Sequence, residues 1–168
     1  MHKLEFKYIK YDENMSSGER RALEHTEAYQ LLDSMLKKHL SIDSYEILRN
    51  ENGKPYIEKE GVHFSLAHTD GLVVCAISDS QIGVDCERIL TKSNEEIQKF
   101  AKRFFVENEI ILLENSKCPS HDFYKIWTGK EATIKKLGGN MSYIKKIDTT
   151  KENILFSLEK DYIISINI

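Results

Sequence analysis

Proline and cysteine are scarce in this chain. Its 168 residues include 2 prolines, 8 glycines and 3 cysteines, which excludes a collagen-like or proline-rich disordered polypeptide and a disulfide-dense scaffold. Neither sign of charge dominates. The 24 Lys and Arg against 27 Asp and Glu leave a formal net charge of −3, so no broad basic face is available for nucleic acid or an anionic membrane. Long apolar runs are missing as well: Leu72 to Ile77 is strand-sized, far short of a bilayer span. The opening Met1-His2-Lys3-Leu4-Glu5-Phe6-Lys7 mixes charges among its apolar residues, unlike a signal or transit peptide. Cys75, Cys86 and Cys118 are odd in number and contain no C-x-x-C pair. They read as reduced thiols, with Cys75 packed in the core. The expectation is a cytoplasmic protein with no nucleic-acid or membrane partner.

What is present suits one packed body: 40% apolar and 30% charged residues with no linker or low-complexity tract. Lys3 to Tyr11 alternate at period two, as a half-buried strand does. Ser16-Ser17-Gly18-Glu19 begins a helix whose apolar positions recur to Leu40, before the Ser41-Ile42-Asp43 break. Short strands follow around Tyr45–Leu48, Pro55–Ile57, Val62–Ala67, Leu72–Ile77 and Ile82–Cys86, separated by Asn52-Gly53, Glu60-Gly61 and Asp70-Gly71, which suggests an antiparallel meander. Helices are expected over Asn94–Leu113 and Asp122–Leu137, then strands over Ile154–Leu158 and Tyr162–Ile166. Phe64-Ser65-Leu66 with its following strand is echoed by Phe156-Ser157-Leu158 with its own; the echo alone fits chance as well as a repeat.

Four places can carry chemistry. Asp85 and Glu87, at i and i+2 on a strand end, share a face; they can grip one cation or line a solvated edge with Arg88 as ion partner. Trp127, Glu131 and Lys135 fall on one helical stripe, which serves a site or equally a core anchor beside a surface ion pair. Gly129, costly in a helix interior, marks a close approach to that helix. His68 before Asp70-Gly71, and Asn52-Gly53-Lys54-Pro55, are turn residues that either stay at the surface or line a cleft.

In this order the pieces resemble the 4′-phosphopantetheinyl transferase superfamily: G-K-P, a strand ending in a serine- and histidine-containing turn, G-[IV]-D-x-E, then W-[ST]-x-K-E-[AS]-x-x-K. The resemblance runs from about Asn52 to Ser142 and takes in Arg103-Phe104-Phe105 with Glu109, and Leu137-Gly138-Gly139-Asn140-Met141-Ser142. It implies transfer of the phosphopantetheine arm of coenzyme A to a serine of an apo acyl- or peptidyl-carrier protein of fatty-acid, polyketide or nonribosomal peptide synthesis. Adenosine 3′,5′-bisphosphate would be released. By the same resemblance Asp85, Glu87 and Glu131 would hold Mg²⁺, and Lys135 and His68 would contact phosphate oxygens. Glu131 would take the serine proton directly or through a metal-bound water, and Gly53-Lys54-Pro55 would line the adenine end. Arg20 and Arg21, with His25 beside them, are candidates for the 3′-phosphate. The sequence departs from the pattern at Ala67, where a serine is common, and at Gly129, where a larger residue is common.

With that resemblance the echo implies an α+β pseudo-dimer of two similar α/β modules, each a helix packed on a small antiparallel sheet. Residues 1–80 and 81–168 would share one core around a single site, in a monomer of the compact surfactin type. Two rivals remain, a catalytically silent carrier-binding module of this fold and a Mg²⁺-dependent nuclease using the same acids. Between Lys117 and Lys146, seven lysines stand against Asp122 and Glu131; they could steer an acidic carrier or simply be solvated.

Overall fold

Strand β1 (His2–Tyr8) leads into helix α1 (Ser17–Leu40). Ser16 and Glu19 form a reciprocal capping box at its start, and Ser41 ends it in the left-handed region at φ 54°. The structure, a computed structural model, describes residues 2–168. The short strands β2 (Leu48–Arg49) and β3 (Pro55–Tyr56) form a small ladder around the Asn52-Gly53 turn, and β4 (His63–Thr69) and β5 (Leu72–Ser78) form a hairpin. The second half holds β6 (Gly83–Arg88), α2 (Asn94–Phe104), α3 (Glu107–Glu114), α4 (Pro119–Leu137), two 3₁₀ turns (Met141–Lys146 and Thr149–Lys151), β7 (Ile154–Glu159) and β8 (Tyr162–Asn167). Among the described residues no helix is long and apolar enough to cross a membrane.

The expected meander is not formed. The main strands divide into two antiparallel three-stranded sheets, ordered β1-β5-β4 and β6-β8-β7. In each, the last strand is central, flanked by the first and the penultimate. The β4–β5 and β7–β8 hairpins close on Thr69↔Leu72 and Glu159↔Tyr162. Counting back from those pairs, Phe156 matches Leu66 rather than Phe64, so the hairpins correspond while the Phe-Ser-Leu identity is two residues out of register.

Burial explains the layers. All seven residues of β5 and all six of β8 are buried, because each strand is covered on both faces. One face of β5 gives Cys75 and Ile77 to a core with Leu32, Met35 and Leu36 of α1. The other gives Leu72, Val74 and Ala76 to a core with Val84, Cys86, Ile164 and Ile166 of the second sheet. Beyond that sheet Ile163 packs with Ile97, Phe105, Phe123 and Ile126 of the helical layer. The two sheets therefore lie between α1 on one side and α2–α4 on the other.

The expected helix over Asn94–Leu113 is two helices, broken at Phe105-Val106. Phe105 is extended (φ −100°, ψ 156°) and 5% exposed, so its ring fills the core in place of a helical turn. Glu109 restarts the helix by accepting from the Val106 N–H at 2.9 Å. Gly129 does mark a close approach: a Cβ there would lie 3.1 Å from Ile154 Cδ1 and 3.3 Å from Thr149 Cγ2. Both atoms are ends of movable side chains. Gly129→Ala is therefore expected to change stability by less than about 1 kcal/mol, since the helix propensity gained offsets the crowding; urea denaturation measures it.

Candidate active site

Period two on β6 separates structure from chemistry. Val84 and Cys86 enter the core between the sheets, which turns Asp85 and Glu87 to the opposite face, toward α4. The helix crosses β6 closely at Gly83, where a Cβ would lie 1.8 Å from the Ala132 carbonyl oxygen. Ala132 and Lys136 thus rest on the strand, and the neighbouring positions Glu131 and Lys135 reach its carboxylates. Lys135 Nζ donates to Asp85 Oδ1 at 2.8 Å and to the Leu66 carbonyl of β4 at 3.2 Å, joining the halves of the chain. Asp85 is 5% exposed, and its buried Oδ2 has no hydrogen-bond partner among the described residues. Glu87 accepts from Thr69 Oγ1 at 3.1 Å.

The charges perturb one another. Burial first, then the Asp85 charge, push the Glu131 carboxyl up to about 8. The same causes in the same order raise Glu87. Burial opposes the Lys135 ammonium, but Asp85 and Glu131 outweigh it and the net shift is upward.

A cavity of about 230 Å³ opens beside this cluster, lined by Asn52, Gly53, Lys54, Pro55, Phe64–Leu66, Lys135 and Gly139. The turn residues Gly53, Lys54 and Pro55 therefore share a wall with Lys135. Asn50 and Asn52 donate to the Gly138 carbonyl at 3.0 and 2.9 Å, tying the turn to the end of α4. Lys54 Nζ reaches the carbonyls of Lys136 at 3.3 Å and Ile82 at 3.4 Å, and burial pushes its ammonium down to about 8.

A family model of the 4′-phosphopantetheinyl transferase superfamily matches residues 81–164, half of the chain and the half that carries Asp85, Glu87, Glu131 and Lys135. The chain belongs to this superfamily. It is 40% identical over 115 residues to 4′-phosphopantetheinyl transferase gsp of Aneurinibacillus migulanus, covering 66% of this chain and 46% of that protein. To 4′-phosphopantetheinyl transferase Sfp of Bacillus subtilis strain 168 it is 34% identical over 117 residues, covering 67% and 50%. To HetI of a Nostoc species it is 28% identical over 127 residues, covering 70% and 53%. The chain spans about half the length of the curated relatives it matches.

In this phosphopantetheinyl transferase superfamily member the segment from Trp127 to Lys135 splits by helical face. Glu131 and Lys135 meet Asp85. Trp127 instead packs edge-on against Phe100 and Phe104, the core-anchor reading. Lys130 is fully buried, paired with Glu109 at 2.8 Å, and donates to the carbonyls of Ile144 at 3.1 Å and Ile147 at 2.5 Å. This pair holds the 3₁₀ turn after α4. It also corrects the steering patch: of the seven lysines, Lys130 is inside and Lys135 is engaged by Asp85, so neither adds charge to an open basic surface.

His68 lies on β4 between two links to the acidic cluster, through Leu66 and Thr69. Its ring faces α1, where Nδ1 meets Glu24 Oε2 at 3.0 Å. Arg20 sits 4.8 Å over the Tyr11 ring, whose hydroxyl donates to Glu24, and so borders the same group. Arg21 is exposed on the helix surface. Glu24 escaped the sequence reading; its signal was a carboxylate on the buried stripe of Ala28, Leu32 and Met35.

The Mg²⁺ that the resemblance implies can be tested against these residues. Among the described residues no group of three His, Cys, Asp or Glu side chains forms a ready metal cage. Mg²⁺ needs only one or two carboxylates beside water and phosphate oxygens. The buried Asp85 Oδ2, with no hydrogen-bond partner among the described residues, and the Glu131 carboxyl beside it are oxygen donors of the kind that Mg²⁺ takes. The donor set fits. Without divalent ions, a carboxyl whose folded-state pKa exceeds its unfolded value binds its proton more tightly when folded. Stability is then full below the unfolded value, near 4.5, and is lost as pH rises through about 8. Thermal unfolding in EDTA is expected to show Tm falling by roughly 4 °C or more from pH 5 to pH 8, with Glu131→Gln removing most of the fall.

Proposed function

We propose that the chain transfers the 4′-phosphopantetheine arm of coenzyme A to a serine of an apo acyl- or peptidyl-carrier protein. The carrying observation is the Asp85–Glu131–Lys135 cluster, whose Lys135 shares a cavity wall with the Gly53-Lys54-Pro55 turn. The serine oxygen attacks the β-phosphorus of the coenzyme's pyrophosphate, the bond to the nucleotide oxygen breaks, and adenosine 3′,5′-bisphosphate leaves. Mg²⁺, held by Asp85 and Glu131 with Glu87 on the same strand face, would neutralise the pyrophosphate oxygens.

Each remaining role falls to this chain's own side chains. Lys135 brings a protonated ammonium to the phosphate oxygens, where charge grows as the bond breaks. Glu131, ionised when a cation offsets the Asp85 charge, would take the serine proton. His68 offers a second contact to phosphate. Gly53, Lys54 and Pro55 line the adenine end, and Arg20 and Arg21 at the start of α1 receive the 3′-phosphate. The matching strand orders of the two sheets support a pseudo-dimer of residues 1–80 and 81–168; its action as a monomer in the cytoplasm is part of the same proposal.

Chromatography of the small-molecule products tests this reading. Adenosine 3′,5′-bisphosphate is expected only when protein, coenzyme A, Mg²⁺ and apo carrier are all present. Carrier binding without nucleotide release would identify a silent module, and DNA cleavage with coenzyme A intact would identify a nuclease.

A further inference from the structure

The proposed mechanism does not use Glu24, yet this is one of the few buried charged side chains, 6% exposed on α1. Its Oε1 accepts from the Tyr11 hydroxyl and from the Gly71 N–H at 3.1 Å. Its Oε2 meets His68 Nδ1 at 3.0 Å. The Gly71 N–H also donates to the Tyr11 hydroxyl at 2.5 Å, so Tyr11, Gly71 and Glu24 brace one another. A carboxylate held by Tyr11 and Gly71 can fix the ring that it touches.

That contact determines what the imidazole offers to a ligand. A carboxylate only accepts, so the His68 nitrogen facing it carries the proton, and in the neutral ring the other nitrogen is then bare. Among the described residues Nε2 makes no hydrogen bond, and the side chain is 30% exposed. The flanking residues are held on both sides, Leu66 at its carbonyl by Lys135 and Thr69 at its hydroxyl by Glu87. His68 thus stands on a rigid strand beside the acidic cluster, with one nitrogen held and the other free.

We propose that Glu24 is a positioning residue for His68, fixing its proton on Nδ1 and presenting Nε2 as the atom that meets the substrate's phosphate. The substrate part rests on the transfer reading above; the proton's position does not. Where a histidine ligates a metal, removing the carboxylate that holds its second nitrogen typically costs about 10–100-fold in affinity or activity, and a loss of that order is expected here.

Two measurements on the whole protein decide it. In ¹⁵N-histidine spectra at a pH where the ring is neutral, with His68 assigned from His68→Ala, the wild type is expected to show the Nδ1–H tautomer. Glu24→Gln, whose amide oxygen still accepts, should retain that tautomer, and Glu24→Ala should lose it. An Nε2–H tautomer in the wild type, or no change in Glu24→Ala, overturns the assignment. If Glu24→Ala fails to fold, the wild-type and Glu24→Gln spectra still decide.

In kinetics, Glu24→Ala is expected to lower turnover about 10–100-fold and to cause little further loss in a His68→Ala background. Equal losses in both backgrounds would mean that Glu24 only supports the fold. A wild type without transfer would overturn the substrate part together with the transfer reading, while the spectra would still test whether Glu24 sets the His68 tautomer.

Discussion

Asp85→Ala is expected to lower Mg²⁺-dependent transfer by roughly a thousandfold, about 4 kcal/mol of transition-state stabilisation. The size follows from what Asp85 does in the cluster. Its Oδ1 holds Lys135 at 2.8 Å, and among the described residues its buried Oδ2 has no hydrogen-bond partner. The substitution removes both the anchor of the ammonium and the residue proposed as a principal ligand for the cation. The fold should survive, because Lys135 keeps the Leu66 carbonyl and one source of repulsion on Glu131 is gone. Single-turnover rates at saturating coenzyme A, with circular dichroism as the control, measure this. A loss smaller than about tenfold would remove Asp85 from the machinery.

Gly83→Ala should have the largest effect on stability. The added Cβ would meet the Ala132 carbonyl oxygen at 1.8 Å, the Lys136 nitrogen at 2.5 Å and the Ala132 carbonyl carbon at 2.9 Å. All three atoms belong to the α4 backbone, so no rotamer change relieves the clash and the helix must retreat from β6. A cost of about 3–5 kcal/mol is expected, read as a lower denaturation midpoint at unchanged slope. The same retreat would draw Glu131 and Lys135 away from Asp85, so the folded fraction should also be slow. The contrast with Gly129→Ala, where only side-chain tips are met, separates crowding by backbone from crowding by side chains.

The legible parts of this structure are those set by local pattern. Period two placed Asp85 and Glu87 on one face of β6, and helical spacing placed Glu131 and Lys135 together on α4. Ser16 and Glu19 marked the start of α1. What joins those faces is the crossing at Gly83, which only tertiary packing reveals; the glycine in G-[IV]-D-x-E was visible, its reason was not. Sheet membership was hidden because β5 and β6 are neighbours in sequence but belong to different sheets. Phe105 interrupts an apparently continuous helix because core packing outweighs helical pattern there. Lys130 reads as surface charge until Glu109 and two carbonyls are found around it.

Intact mass spectrometry of an apo carrier protein, incubated with this chain and coenzyme A in Mg²⁺ or in EDTA, tests the central claim most directly. The carrier is expected to gain one phosphopantetheine group in Mg²⁺ and none in EDTA, with Asp85→Ala matching the EDTA result. Acyl- and peptidyl-carrier proteins that both keep their apo mass in Mg²⁺ would contradict the account.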